Sequence, residues 1–287
     1  MIETGEQKMR TILITGANSG IGKAAAYQFA KKGEQVIMVC RNQLHAAEVR
    51  TKIIEETNNH NIHLFICDLA IIQAVKKLVD QLTNTYEVID VVINNAADFD
   101  ISRKKVEITV EGREKQFATN VVAPYYLSRG LIPLVKKSQN GKIINISSQG
   151  LSLFPFMQLN VRDLNAQKHY RPSKQYYQNK LALLMLTDYF ARTNEEDIHF
   201  YAIRVPNVKV DISRYPKLSK MAKSMYKIKS KIALSVEAMA KVYVELALSD
   251  SQYPLYINEK FKAVKINRGA RNQERSKVLV SYLNSLA

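Results

Sequence analysis

Arg10-Thr11-Ile12-Leu13-Ile14-Thr15-Gly16-Ala17-Asn18-Ser19-Gly20-Ile21-Gly22 is the stretch on which the fold turns. Arg10 to Thr15 is a short β-branched run that suits a strand buried on both faces. Beyond the glycines, Ile21, Ala25 and Phe29 recur at helical spacing until Gly33 offers a stop. A glycine turn between strand and helix lets the backbone bend tightly and approach a pyrophosphate closely, while the free amides and positive end of the helix bind it. The spacing is Gly-x-x-x-Gly-x-Gly rather than the Gly-x-Gly-x-x-Gly fingerprint. Such a turn in isolation is more often a plain loop, so the rest of the chain has to decide.

The alternation continues outward. Strands are expected at Gln35 to Cys40, Ile62 to Cys67 and Val88 to Ile93, with helices at about Leu44 to Thr57 and Ile71 to Thr83. A helix around Arg113 to Lys137, a strand Lys142 to Ser147, a helix carrying Tyr176, a strand Ile198 to Val205 and a helix Val236 to Leu248 follow. A short strand near Tyr253 to Ile257 and a tail helix Asn272 to Leu286 close the count. Strands regularly separated by helices imply right-handed crossovers and a parallel sheet, so the expected fold is a doubly wound α/β structure. With 287 residues, 46% of them hydrophobic, and no repeat or linker, one domain over residues 1–287 is expected.

Tyr176 and Lys180 lie four positions apart in an uninterrupted helical pattern, so the ammonium can sit under the phenol. A neighbouring cation lowers a tyrosine pKa and suits the phenol to proton transfer. The same spacing occurs at Tyr170 to Lys174 and at Tyr256 to Lys260. Pro172 interrupts the first of these, and the second follows Pro254 in an extended stretch, so neither pair should share a helix face. At the end of the second strand stands Arg41. A bare ribose is usually held there by an acid and a 2′-phosphate by a cation, so Arg41 points to NADP(H) rather than NAD(H), the competing reading being a solvated loop arginine.

Motifs in order along the chain resemble the short-chain dehydrogenase/reductase family. Thr15 to Gly22 resembles its cofactor turn, through Gly16, Asn18, Ser19, Gly20, Ile21 and Gly22, and Asp68-Leu69 resembles the point where an aspartate contacts the adenine. Asn94-Asn95-Ala96-Ala97 resembles Asn-Asn-Ala-Gly, departing at Ala97. Asn120 matches the family's helix asparagine, and Asn145-Ile146-Ser147-Ser148 matches the strand that delivers its serine. Neighbouring strand residues face opposite ways, so only one serine can face the site; Ser148 is chosen by its place in the motif. Pro206-Asn207 stands where the family has Pro-Gly. The long insert before Tyr176, with Lys180-Leu181-Ala182 and the stretch Tyr256 to Lys262, is similar to the retinol-dehydrogenase-like branch.

The resemblance implies a single-domain Rossmann fold and an NADP(H)-dependent oxidoreductase that moves a hydride between nicotinamide and a carbonyl or alcohol. Tyr176 would be the general acid/base, Lys180 would tune it and hold the ribose, Ser148 would bind the carbonyl oxygen, and Asn120 would hold a water linking Lys180 to solvent. Asn95, Ala96 and Pro206 would border the cofactor. Each residue has a bland competitor, since a lone serine is commonly a turn former and a lone asparagine a cap. Two alternatives stay open: reduction of an enone C=C bond, and a nucleotide-sensing protein without turnover.

A formal charge of +16 attracts anions of any kind. After Pro206 a substrate lid is expected at about 207–235, where Arg214, Lys217, Lys220, Lys223, Lys227, Lys229 and Lys231 interleave with Leu218, Met221, Met225, Ile228 and Ile232 as a basic amphipathic helix. It could be a solvated face over the site, bind an anionic substrate, or touch anionic lipid. Nucleic acid is not expected, because its recognition motifs are absent. No apolar run approaches membrane-spanning length, the start Met1 to Arg10 is polar, and a cytoplasmic location is expected. Cys40 and Cys67 read as buried hydrophobes rather than a disulfide, a metal site is not expected, and a homo-oligomer stays open.

Overall fold

Among the described residues, seven short segments pair side by side in parallel, most of them buried on both faces and joined by stretches long enough to cross back over the sheet. The computed structural model describes residues 9–100, 102–166, 170–194, 197–209 and 233–286. The strands are β1 (Thr11–Thr15), β2 (Gln35–Cys40), β3 (Ile62–Ile66), β4 (Val91–Asn94), β5 (Gly141–Ser148), β6 (Ile198–Val205) and β7 (Tyr256–Ile257), in the order β3-β2-β1-β4-β5-β6-β7. The order reverses between β1 and β4, and at that switch point the carboxyl ends of neighbouring strands open a crevice.

Helices cover both faces. On one side α1 (Gly20–Lys31), α2 (Gln43–Thr57) and α7 (Val236–Leu248) bury Ala25, Phe29, Met239 and Tyr243 against Ile12, Ile14, Val36 and Met38. On the other, α3 (Ile72–Thr85), α5 (Ala123–Val135) and α6 (Pro172–Thr193) pack Leu78, Leu131, Leu181 and Leu184 on Leu13, Val92 and Ile143. Each fully buried leucine in these layers contributes about 1.5–3 kcal/mol. The tail helix α8 (Gln273–Asn284) adds Leu279 and Leu283 to the second layer, and the hydroxyl of Tyr126 donates to the carbonyl of Leu283 at 2.8 Å. The result is a single-domain Rossmann-like fold.

Two expectations change. The continuous helix Arg113 to Lys137 is broken into a short α4 (Lys115–Phe117), a π-helical turn Ala118–Val122 and α5. The expected strand Val88 to Ile93 is β4, starting later at Val91. Its approach is fixed by Asp90, whose carboxylate accepts from Thr11 N at 2.8 Å and from the Ser138 hydroxyl at 2.6 Å. Cys40 and Cys67 are buried and unbridged, and burial pushes their thiols up to about 11 and about 12. The basic lid helix, from Arg214 to Ile232, lies outside the described residues. No described helix is long and apolar enough to cross a membrane.

Candidate active site

The glycine turn closes against β4. Gly16 (φ +68°) and Gly20 (φ +54°) occupy the left-handed region that favours glycine. Gly22 has no room for a side chain, since a Cβ there would lie 2.4 Å from the Gly16 carbonyl oxygen and 2.5 Å from Asn95 Nδ2. Asn95 Nδ2 donates to the Thr15 carbonyl at 2.9 Å, and the Thr15 hydroxyl accepts from Asn95 N and Ala96 N at 3.0 and 2.9 Å. The ends of β1 and β4 are thereby fixed together. Ser19 is the N-cap residue of α1 but makes no side-chain cap, and the first turn holds no acid. Its amides and the positive helix end therefore suit a phosphate. Asn18 and Ile21 flank this end half-buried.

Along the crevice, Arg41 is exposed just past β2. Asp68 and Leu69 are half-buried after β3, with Asp68 Oδ1 accepting from Ala70 N at 3.0 Å. Pro206 follows β6 directly and is half-buried.

Asn94, Asn145 and Thr187 form a buried polar spine. Asn94 Nδ2 donates to Asn145 Oδ1 at 2.8 Å, and Asn145 Nδ2 donates to Thr187 Oγ1 at 2.9 Å, so β4, β5 and α6 are linked side chain to side chain. Two turns back from Thr187, on the same helix, Lys180 is 2% exposed and its Nζ donates to the Ile146 carbonyl at 2.6 Å. The same Nζ lies 5.5 Å from the centroid of the Tyr176 ring. Burial lowers the Lys180 pKa to about 8. The expected helical stacking of this pair is therefore present. Tyr170 precedes the first residue of α6 and Tyr256 lies in β7, so the two rival Tyr-x-x-x-Lys pairs lack a shared helix.

The two serines diverge as strand alternation requires. Ser147 is buried, its hydroxyl 3.3 Å from that of Tyr256. Ser148 is half-exposed at the strand end, where its Oγ accepts from Gly150 N at 3.3 Å. Asn120 lies in the π-helical turn, a feature that often marks functional sites. Its Oδ1 accepts from Asp98 N at 2.7 Å and its Nδ2 donates to the Asp98 carbonyl at 2.8 Å, so the side chain is engaged with the loop after β4.

Four contributors carry no signal in the sequence. Phe99 stacks on Tyr176 with ring centroids 4.3 Å apart, and Arg103 grips the Asp98 carboxylate through two bonds at 2.7 and 3.1 Å. Glu114, fully buried, accepts from Gln116 N and Phe117 N to cap α4, and from Gln175 Nε2 of α6 at 3.3 Å. Burial raises its carboxyl pKa. Phe99 and Arg103 follow the Asn-Asn-Ala motif closely in sequence, but no periodicity signals them. Tyr243 of α7 is fully buried with its hydroxyl 3.4 Å from Asn95 Oδ1, and burial holds that phenol far above its ordinary pKa, with a smaller push from Tyr176.

Comparison with known proteins agrees with this geometry. The family model for short chain dehydrogenases matches residues 10–215. Human dehydrogenase/reductase SDR family member 12 is 38% identical over 192 residues, which span 67% of this chain and 58% of that protein. Mouse retinol dehydrogenase 14 is 29% identical over 232 residues, 77% of this chain and 68% of its own length. Among solved structures, an uncharacterized Mycobacterium paratuberculosis protein superposes with a TM-score of 0.72 at 22% identity, covering 96% of this chain and 92% of the other. A short chain dehydrogenase from Escherichia coli complexed with NADPH gives a TM-score of 0.65 at 22% identity, covering 88% and 96%. Sheet order, glycine turn and tyrosine helix thus occur in the chain that the family model matches across most of its length, and this protein belongs to the short-chain dehydrogenase/reductase family, in its retinol-dehydrogenase-like branch.

Proposed function

We propose that the protein is an NADP(H)-dependent oxidoreductase that interconverts a carbonyl and an alcohol, with Tyr176 as general acid/base. The observation that carries this is the Tyr176–Lys180 pair on α6, with Lys180 anchored to the Ile146 carbonyl beside the strand end that carries Ser148. The residues fit a dinucleotide. Gly16 and Gly22 let the turn fold tightly against Asn95 and Ala96, and the uncapped start of α1 offers amides to a pyrophosphate. When bound, NADP(H) supplies or accepts the hydride.

The chain's own residues supply the rest. Lys180, when protonated, favours the phenolate of Tyr176 and so makes that phenol a better acid. Ser148 donates a hydrogen bond to the oxygen on which negative charge develops, a preset stabilisation that costs no reorganisation. Asn120 acts through Asp98, holding the loop that places Phe99 against Tyr176. The second N–H of its side chain stays available for the expected water-holding task. Arg41 selects the 2′-phosphate.

The discriminating experiment is titration with NADPH and NADH, followed by a screen of aldehydes and ketones with the tighter binder. NADPH binding with carbonyl-dependent oxidation supports the proposal; binding without oxidation across a broad panel refutes it.

A further inference from the structure

Beside the proposed catalytic cleft the structure holds a second cavity, of about 250 Å³, between the segment after β5 and the segment after β7. Leu151, Pro155 and Phe156 form one wall, and Tyr256, Val264 and Ile266 the other. The walls are fixed to each other. Asn267 Nδ2 donates to the Phe154 carbonyl at 2.6 Å, and Gly269 comes so close to Met157 that a Cβ would lie 2.1 Å from its carbonyl oxygen. The Tyr256 hydroxyl is already partnered by Ser147, which leaves the lining largely apolar. Tyr177 packs against Phe154 with centroids 5.0 Å apart, meets Tyr176 edge-on at 5.4 Å and fills the space above Gly150.

The mouth has a definite chemistry. Lys265 and Arg268 lie on its rim, the Arg268 guanidinium 5.5 Å from the centroid of the Phe156 ring, and among the described residues no carboxylate lines the cavity. Phe156 is 72% exposed at the opening, and Leu153 beside it is 76% exposed. An apolar interior beneath two cations recognises one class of molecule, an aliphatic chain ending in an anion. A free carboxylate in water would gain little from exposed cations alone, and a neutral hydrocarbon would gain nothing from them. Both features are used together only by an amphiphile. Ligand pockets usually span about 300–1,000 Å³, so the volume suits a medium chain.

We infer that this cavity binds a medium-chain aliphatic anion, independently of the hydride-transfer reading. The test is calorimetric titration of the full chain with dodecanoate, dodecyltrimethylammonium and acetate, all below micellar concentrations. One saturable dodecanoate site is expected, with at least tenfold weaker binding of the other two. The exposed double variant Lys265→Gln/Arg268→Gln should weaken dodecanoate at least tenfold, and Val264→Trp, which fills the cavity, should abolish it. The double variant Lys31→Gln/Lys32→Gln removes the same charge at the far end of α1 and should leave the affinity within twofold. Absence of saturable binding, equal binding of the cationic amphiphile, or equal weakening by the two double variants overturns the assignment. If Val264→Trp does not fold, the comparison of the two double variants decides.

Discussion

Lys180 Nζ donates to the Ile146 carbonyl at 2.6 Å while lying 5.5 Å from the centroid of the Tyr176 ring, so one buried amine joins β5 to the proposed acid. Its pKa, lowered to about 8 by burial, sets when it is a cation. Above about pH 8 the charge is lost and with it the help to the phenolate. The pH profile of cofactor-limited kcat/KM, which reports the free enzyme, should therefore fall on the basic side near pH 8. A profile flat to pH 10 would show that the ammonium does not tune Tyr176.

Tyr176→Phe removes the acidic proton but keeps the ring on Phe99. Turnover should fall by about 10²–10⁴-fold, with NADPH affinity within twofold by fluorescence titration. Ser148→Ala, at the open end of β5, should cost about 10²–10³-fold in kcat. Residual turnover near the parent level in Tyr176→Phe would remove the general acid from its assigned place.

Arg41→Ala should weaken NADPH about tenfold to a hundredfold, the scale of a charge-assisted hydrogen bond, and leave NADH nearly unchanged. Equal weakening of both cofactors would mean that Arg41 does not read the 2′-phosphate.

Gly22→Ala forces a methyl group against the Gly16 carbonyl oxygen and Asn95 Nδ2. Overpacking of this kind costs about 1–3 kcal/mol. Chemical denaturation should show that loss, and dinucleotide binding should weaken with it because the turn has to open. An unchanged midpoint would mean that the turn yields freely.

Lys142 is fully buried on β5, its Nζ donating to the carbonyls of Ala247 and Ser249 at 3.1 and 2.7 Å, and burial lowers its pKa to about 8. In the unfolded chain a lysine keeps its proton to about pH 10.5, the ordinary value. Between about pH 8 and 10.5 the unfolded state therefore binds more protons, and stability contributed by Lys142 and Lys180 rises with pH across that window. Lys142→Met should lose about 1–3 kcal/mol at pH 7, because the Ala247 and Ser249 carbonyls would keep only the long bonds from Arg10 Nη1 at 3.5 Å and Asn140 Nδ2 at 3.3 Å, and show a shallower rise from pH 8 to 10.5. Urea unfolding across pH measures both.

Where one segment carried its own signal, sequence and structure agree. The β-branched run before Gly16, the helical spacing of Ile21, Ala25 and Phe29, and the unbroken pattern around Lys180 each place an element locally. What escaped depends on residues far apart in the chain. The π-helical turn at Ala118–Val122 interrupts a pattern that reads as one helix, and it carries Asn120, whose partner Asp98 lies 22 positions away. Phe99 meets Tyr176 only because β4 and α6 are brought together by the fold. The insert from Gln149 to Arg171 carries no readable motif, yet it contributes Asn160 N to Gln178 Oε1 at 2.8 Å and the Leu151 to Phe156 wall of the second cavity.

Because Asn94, Asn145 and Thr187 fasten α6 to two strands from within, the tyrosine helix has little freedom to drift when its surroundings are rewritten. Adaptation to new molecules, whether by natural descent or in the laboratory, would then fall to the connecting segments, leaving the chemical engine untouched. Grafting the 149–171 segment from a relative is consequently a gentler route to altered selectivity than repacking beneath the helix.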